Sequence, residues 1–297
     1  MSMSRDSART AADDTPQAEN TYVIDVADAR EMARLVYQDR LITKHTGGLF
    51  AERTDFRSVQ NVLDLACGPG GWALQVAHAD PELKVVGIDI SQPMIQYARA
   101  QAVVQGVRNA EFHIMNVLQP LAFPDQQFDL VNARLLLGFM PPAAWPSLVR
   151  ECFRILRPGG ILRLTEAEYN ITNSPANEQF GALFTTALAQ AGQSFSPDGR
   201  HICITPMLGQ FLREAGFEHL GQQAHAIDVS VGAEAHESAY QDALIAFKLI
   251  RPFLVKQGVA TEEEAKHLYH RVMEEMASDE YRAIWFLLTA WGERPSK

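Results

Sequence analysis

The amino-acid sequence predicts an α/β fold, in which a mostly parallel β-sheet is covered by helices, from three observations. Short apolar runs of strand length alternate along the chain with segments of helical periodicity. The first run, residues 61–65, leads directly into a turn containing Gly68 and Gly70, as in nucleotide-binding βαβ units. Polar side chains stand at the ends of four runs: Asp64, Asp89, Asn116 and Asn132. Because ligands of such sheets bind beyond the carboxyl ends of the strands, these side chains predict a ligand site.

The composition is that of a globular protein with a large hydrophobic core. The 297 residues are 47% hydrophobic and 21% charged, which suits one large domain or one domain with a long insertion. The formal net charge of −10 argues against a broad basic surface, so we expect no nucleic-acid partner.

The cysteines and the start of the sequence indicate a cytoplasmic protein. Cys67, Cys152 and Cys203 stand far apart, without the spacing of a metal site or a redox pair. We therefore expect reduced thiols and no bound metal. Residues 1–20 are polar and are expected to form a disordered tail. No apolar run approaches the roughly 20 residues of a membrane-spanning helix, so no membrane partner is expected.

An N-terminal helical cap is expected over residues 21–58, because an apolar stripe predicts a helix over residues 25–45. Such a helix could cover a ligand at the edge of the sheet, with Tyr22, Gln38 or Arg40 reaching it. The alternative is a helix that only packs on the core and leaves these polar side chains in solvent.

The core of the fold is expected over residues 59–232. After the glycine turn, further strands are predicted at residues 84–88, 111–115, 128–131 and 161–165. Helices are predicted between them, one of them capped by Ser91 with Pro93 in its first turn. A sixth strand is predicted over residues 217–231, and the final strand of the core within residues 280–297.

Two nucleotide ligands fit the glycine turn. Residues 68–73 match the dinucleotide fingerprint G-x-G-x-x-G/A, and Asp89 stands where a ribose-binding acid is expected. This match favours an NAD-dependent oxidoreductase. Asp64 favours S-adenosylmethionine (SAM) instead, because a carboxylate at the strand end attracts an ammonium group and repels a pyrophosphate.

Residues 60–166 resemble a class I SAM-dependent methyltransferase of the small-molecule type. The resemblance rests on Val-Leu-Asp-Leu-Ala-Cys-Gly-Pro-Gly, Val-Val-Gly-Ile-Asp-Ile-Ser, Phe-Asp-Leu-Val and Leu-Arg-Pro-Gly-Gly, which occur in that family's order. It implies a Rossmann-like, doubly wound, seven-stranded sheet whose last strand is antiparallel, with SAM as the cosubstrate.

The resemblance also implies roles around the first two motifs. The turn at Ala66, Gly68 and Gly70 would approach the methionine part of SAM, with Asp64 near its amino group. Ala66 departs from the glycine that is common at its position. Asp89 would accept hydrogen bonds from both ribose hydroxyls, since a carboxylate suits two neighbouring donors.

The adenine and the far end of the cofactor would meet the later motifs. Ile90 and Met94 would line the adenine, and the backbone N–H of Val117 would donate to a ring nitrogen. Asn116 departs from the common Asp, although its amide oxygen can still accept from the adenine amino group. Asn132 and Arg134, at the end of the fourth strand, complete the expected cofactor set.

The acceptor is expected to bind under helical lid insertions, at about residues 170–204 and at residues 233–279. Thr261 and Glu264 have the spacing of a capping box at the start of one lid helix. A dimer surface, giving a homodimer, is the alternative role for residues 233–279. The substrate candidates are Tyr169, Phe195, Arg200, Phe247 and Trp285, and the catalytic candidates are His201 and Glu166.

The sequence thus predicts an enzyme that transfers the methyl group of SAM to a small, partly apolar metabolite by in-line displacement. The pattern leaves open whether oxygen, nitrogen or carbon is methylated, and a general base is needed only if the acceptor keeps its proton. An NAD-dependent oxidoreductase and a catalytically silent SAM-binding partner subunit remain as alternatives.

Overall fold

The computed structural model describes residues 22–24, 29–50 and 59–296. The predicted tail at residues 1–20 lies outside this range. The elements, in chain order, are α1 (Ala29–His45), β1 (Asn61–Leu65), α2 (Gly71–Ala79), β2 (Lys84–Asp89), α3 (Gln92–Gln105), β3 (Ala110–Ile114), β4 (Phe128–Arg134), α4 (Trp145–Ile155), β5 (Leu156–Ala167), β6 (Ile171–Thr172), α5 (Pro175–Gln190), α6 (Leu208–Glu214), β7 (Glu218–Asp228), α7 (His236–Lys256), α8 (Glu262–Met276) and β8 (Ala283–Glu293).

All the described strands belong to one sheet. Strands β3, β2, β1, β4 and β5 follow one another in parallel, and β8 pairs antiparallel with β5 on one side and with β7 on the other. The Rossmann-like order and the reversed last strand are therefore confirmed. The predicted number of seven strands is one too low, because the two-residue β6 also pairs with β8, beyond the end of β5.

Alternating residues of the central strands serve two separate cores, since successive side chains of a strand point to opposite faces. In β1, Val62 joins the core under α2 and α3, whereas Leu63 and Leu65 join the larger core on the other face. In β4, Leu130 and Val131 divide in the same way. Burial on both faces explains why these strands are continuous apolar runs in the sequence.

Two helices, α3 and α8, begin with the caps that the sequence predicts. The Ser91 hydroxyl accepts a 3.5 Å hydrogen bond from the Met94 N–H at the start of α3. At the start of α8, the Thr261 hydroxyl accepts from the Glu264 N–H at 3.2 Å, and the Glu264 carboxylate accepts from the Thr261 N–H at 2.8 Å. These bonds form the predicted capping box and satisfy N–H groups that the helix leaves open.

Helices α5, α7 and α8 pack on one another, and α7 also packs on α1. Because α1 and these later helices share the walls of one cavity, they cover the carboxyl end of the sheet. Among residues 22–24, 29–50 and 59–296, no helix is both long and apolar enough to cross a membrane. The same residues contain no group of three or more His, Cys, Asp or Glu side chains placed to hold a metal ion.

Candidate functional site

A cleft of about 1180 Å³ opens at the carboxyl ends of β1, β2, β3 and β4. Residues predicted for the cofactor make up much of its lining: Asp64, Ala66, Gly68, Asp89, Ile90, Met94, Asn116, Val117 and Arg134. Two predicted residues, Gly70 and Asn132, do not line the cleft. Gly70 is part of the turn that contains Gly68, and Asn132 donates a hydrogen bond to Asp64. We call this space the strand-end cleft.

The glycine turn after β1 has left-handed backbone at three positions. Ala66 has φ 49°, Gly68 has φ 53° and Gly70 has φ 80°. A Cβ on Gly70 would lie 2.8 Å from Cβ of Ala98 and 2.8 Å from the Phe112 ring, closer than packed atoms approach. Gly70 is therefore required on the inner side of the turn, whereas Ala66 and Gly68 line the strand-end cleft.

Asp89, at the end of β2, binds the glycine turn through its carboxylate. One oxygen accepts from the Gly68 N–H at 2.9 Å, and the other accepts from the Ser91 N–H at 2.8 Å. Burial raises the pKa of Asp89, while these two N–H groups oppose the rise. Each carboxylate oxygen has more than one acceptor site, so both can also receive a hydroxyl from a ligand in the cleft.

Asp64 ends a row of three buried polar side chains on neighbouring strands. Asn132 Nδ2 donates to Asp64 Oδ1 at 2.7 Å, and Arg163 Nη1 donates to Asn132 Oδ1 at 2.8 Å. Burial raises the pKa of Asp64 to about 7, although Arg134 and the Asn132 hydrogen bond act in the opposite direction. A buried carboxylate with a raised pKa favours a cationic partner in the cleft, because such a partner offsets the lost hydration.

Arg134, at the end of β4, connects the sheet to α1. Its guanidinium pairs with Asp39, and it also donates to the Thr43 hydroxyl at 3.1 Å. Asp39 accepts a second bond from Gln75 Nε2 at 2.8 Å. Asp39 lines the cleft and was missed by sequence reasoning, because the apolar stripe of α1 does not reveal which polar residues face the sheet.

The third strand ends in a local turn, which is formed by residues that were predicted to contact the adenine. The Asn116 side-chain oxygen accepts from the Leu118 N–H at 2.9 Å, which is the hydrogen bond of an Asx turn. Met115, Val117 and Leu118 line the cleft beside it, together with the predicted residues Ile90 and Met94. This end of the cleft is consequently apolar and suits a flat, weakly polar group.

A second cavity of about 1070 Å³ adjoins the cleft, and we call it the acceptor cavity. Tyr22, Gln38 and Leu135 line both spaces. Of the polar α1 residues predicted to reach a ligand, Arg40 is exposed and lines neither space. The two spaces therefore meet at a junction made by the N-terminal segment and the residue after β4.

The acceptor cavity is lined largely by apolar and aromatic side chains. Three predicted substrate residues, Tyr169, Phe247 and Trp285, are among them. The rings of Tyr169 and Phe247 are nearly parallel, with centroids 6.4 Å apart and an interplanar angle of 19°. Phe180 stacks behind Phe247 at 4.5 Å. A cavity with such walls fits a small, largely apolar molecule.

One wall of the acceptor cavity carries a buried polar cluster, formed by Tyr22, Glu31, Arg34 and Asp242. The Arg34 guanidinium donates to both Glu31 oxygens, each at 2.7 Å, and to Asp242 Oδ1 at 2.9 Å. The Tyr22 hydroxyl donates to Glu31 Oε1 at 2.7 Å. Burial raises the pKa of Asp242, and Arg34 lowers it. Nothing in the sequence indicates that α1 contacts α7, so this cluster was not predicted.

Glu166, one of the predicted catalytic residues, lies behind the junction and lines neither space. Its carboxylate is buried and accepts from the N–H groups of Leu136 at 2.7 Å and Leu137 at 3.3 Å. Burial raises the pKa of Glu166 to about 8, against the effect of these two donors. The bonds hold the turn in which Leu135 has φ 55°, so Glu166 supports a wall of the site.

The structure does not bring the other three loop candidates to either space. Phe195 packs on Phe211, with ring centroids 5.7 Å apart. The Arg200 side chain is 80% exposed and pairs with Asp198 at 3.1 Å. His201 is exposed, and its backbone carbonyl accepts a hydrogen bond from the Ser194 hydroxyl at 3.0 Å.

Comparisons with known proteins were made on the whole chain. The profile of a methyltransferase domain family matches residues 62–160. A curated relative, the probable methyltransferase ltbC of Aspergillus luteorubrus, is 29% identical over 64% of this chain and 65% of its own length. The demethylmenaquinone methyltransferase of Listeria monocytogenes is 29% identical over 56% of this chain and 73% of its own length.

A solved structure of similar fold is phosphoethanolamine N-methyltransferase 2 of Haemonchus contortus in complex with SAM. It superimposes with a TM-score of 0.53 at 16% identity, over 89% of this chain and 57% of that chain. At this identity the likeness concerns the fold.

Proposed function

We propose that this chain uses SAM to methylate a small, largely apolar acceptor bound in the acceptor cavity, because residues 62–160 match the profile of a methyltransferase domain. The observation that carries the proposal is the meeting of two cavities at Tyr22, Gln38 and Leu135. One cavity has the polar strand ends of a nucleoside site, and the other has apolar walls.

The strand-end cleft offers groups that match each part of SAM. The Asp64 carboxylate would face the ammonium group, and Asp89 would accept the ribose hydroxyls. Ile90, Met94 and Val117 would enclose the adenine. The left-handed turn at Gly68 also suits SAM, because a glycine there has no side chain that would fill the space of the ligand.

Catalysis in this arrangement depends mainly on alignment. When bound, SAM supplies a methyl group that its sulfonium sulfur has already activated. The protein must then hold the acceptor in line with that group and close to it, a form of positioning that lowers the barrier substantially. Leu135 and Tyr22 stand at the junction and would set the angle at which the acceptor approaches.

The helices over the acceptor cavity would exclude water from the reaction. Ala243, Ala246 and Phe247 of α7 line the cavity, and Met276 of α8 lies beside them. An apolar cover of this kind, which has to open for entry and release, suits the proposed lid role of residues 233–279.

The names of the similar proteins agree with a small acceptor. The Listeria protein is named for demethylmenaquinone, and the Haemonchus protein for phosphoethanolamine. The acidic net charge supports a small metabolite over a nucleic acid.

Two measurements test the proposal. Titration calorimetry should detect SAM and S-adenosylhomocysteine (SAH) binding, and incubation of the protein with labelled SAM and a metabolite extract should produce SAH and one labelled small molecule. Binding of NAD in place of SAM would support an oxidoreductase. Tight SAM binding without any labelled product would support the silent partner subunit.

A further inference from the structure

The polar cluster on the wall of the acceptor cavity has more negative than positive charge. Two carboxylates, Glu31 and Asp242, share the one guanidinium of Arg34. Glu31 is fully buried and accepts two hydrogen bonds from the Arg34 guanidinium, whereas Asp242 accepts one. Arg34 therefore offsets the charge of Glu31 more completely than that of Asp242. A carboxylate held in this way disfavours an anion and favours a hydrogen-bond donor as its next partner.

Asp242 is also placed close to the junction. It lines the acceptor cavity, and the side chain of Gln38, which lines both cavities, acts to lower the pKa of Asp242. Tyr22, another residue of the junction, donates to Glu31 in the same cluster. The part of an acceptor that reaches the junction thus meets an acidic group, while the rest meets the aromatic wall of Tyr169 and Phe247.

On the premise of the methyl transfer proposed above, we propose that the acceptor is a neutral hydroxylated aromatic compound and that Asp242 binds and deprotonates its reacting hydroxyl. The hydroxyl oxygen forms the new bond to the methyl carbon as the bond between that carbon and the sulfonium sulfur breaks. The electron pair of the broken bond stays on sulfur, giving a neutral thioether. The hydroxyl proton passes to Asp242, which becomes a carboxylic acid.

The chemistry of the cavity favours this class over two others. An anionic acceptor such as an aromatic carboxylate would add a third negative charge beside Glu31 and Asp242, and like charges in a buried site repel strongly. A phenolic hydroxyl keeps its proton at neutral pH, since its pKa is about 10, so it gains from a nearby base. A ring without a hydroxyl would leave the Asp242 carboxylate without a donor from the ligand.

Asp242→Asn is the informative variant, because it keeps the side-chain volume and removes the surplus charge. Arg34 and Glu31 then balance each other, so the thermal stability of this variant should equal or exceed that of the wild type. Asp242→Ser is a second variant with the same charge change. Glu237→Gln is the matched control, since Glu237 is on the same helix and exposed.

Binding is measured on the SAH-loaded protein with two probes, 2-naphthol and 2-naphthoate. We expect the wild type and Glu237→Gln to bind 2-naphthol at least about tenfold more tightly than 2-naphthoate, the effect of one charged hydrogen bond. Asp242→Asn should lose most of this preference. Equal binding of both probes by the wild type, binding of neither, or an unchanged preference in Asp242→Asn would overturn the inference.

Turnover gives an independent readout. With SAM and 2-naphthol, kcat should fall about 100-fold or more in Asp242→Asn, the usual contribution of a general base, while SAM affinity is unchanged. Mass spectrometry should find the methyl group on oxygen, and a methyl group on carbon would contradict the inference. If SAH forms only with acceptors of another class, the proposed function stands and the inference fails. If no acceptor yields SAH, the proposed function itself fails.

Discussion

Asn132 Nδ2 donates a 2.7 Å hydrogen bond to Asp64 Oδ1 between the paired strands β4 and β1. Asn132 is fully buried and is held from its other side by Arg163. The row therefore fixes the Asp64 carboxylate at the inner end of the strand-end cleft. Its three members come from three adjacent strands, so the parallel sheet itself sets the geometry of this part of the site.

Replacing Asp64 by Asn should make the protein more stable and its SAM binding weaker. Because the folded-state pKa of Asp64, about 7, is above its ordinary value, protonated Asp64 is favoured in the folded protein. That contribution is present at low pH and is lost as pH rises through about 7. Urea unfolding should show the stability advantage of Asp64→Asn growing by about 1.4 kcal/mol or more between pH 5 and pH 8.

The same variant should bind SAM at least about tenfold more weakly at pH 8, since the ammonium group loses its charged partner. Calorimetry with SAM measures this directly. A variant that is less stable than the wild type at pH 8, or that binds SAM equally well, would show that Asp64 does not carry an unbalanced charge.

Asp89→Ala should weaken SAM binding at least about tenfold and also lower stability by about 1–3 kcal/mol. The first effect follows from the loss of the acceptor for the ribose hydroxyls. The second follows because the N–H groups of Gly68 and Ser91 lose their partner. Calorimetry and urea unfolding of the same preparation separate the two effects.

Asp129→Ala is the matched control for Asp89→Ala. Asp129 accepts from the N–H groups of Gln60 and Asn61 at the opposite end of the sheet, so it has a comparable structural role without a place in the cleft. We expect a similar loss of stability with SAM affinity unchanged. An equal loss of affinity in both variants would indicate that unfolding, and not ribose binding, explains the result.

Gly70→Ala should destabilise the protein more than Gly106→Ala. Both glycines have left-handed backbone, with φ 80° and 68°, so both variants incur about 1–2 kcal/mol of backbone strain. A Cβ at Gly106 meets nothing within 4 Å, whereas one at Gly70 meets Ala98 and Phe112. The difference in unfolding free energy between the two variants therefore measures the cost of the clash with Ala98 and Phe112. Equal values would contradict the packing described for the turn.

Glu166→Ala should raise the KM for the acceptor and lower stability by about 1–3 kcal/mol, because the N–H groups of Leu136 and Leu137 lose a buried acceptor. Leu135, next to them, lines both cavities, and Leu137 lines the acceptor cavity but not the strand-end cleft, so displacement of this turn should affect the acceptor more than SAM. Steady-state kinetics with each substrate varied in turn checks this. A fall in kcat at unchanged stability would instead favour a direct catalytic role.

His201→Ala, tested in the same assay, should keep the turnover of the wild type, because His201 is exposed and lines neither cavity. A large loss of turnover would require residues 194–201 to move toward the acceptor cavity during the reaction.

The sequence by itself determined the sheet and the residues at the strand ends. These features are local: a buried strand is a short apolar run, and its last residue is known once the run is recognised. Parallel pairing then brings Asp64, Asp89 and Asn116 to one edge, wherever the intervening helices lie. For this reason the predicted strands are confirmed, whereas the reversed direction of β8 followed from the resemblance to the methyltransferase family. Among the strands of the described residues, the two-residue β6 was missed.

Only the tertiary structure decided how the acceptor cavity is built. Its polar wall joins Arg34 to Asp242 across 208 residues, and no periodicity or motif records such a pairing. The sequence does not show which way a loop folds either. Arg200 and His201 have side chains that could bind or deprotonate a ligand, but both lie on the surface. The physical reason is that strand ends are positioned by backbone hydrogen bonds, which follow from local pattern, whereas lids and loops are positioned by side-chain packing between distant segments.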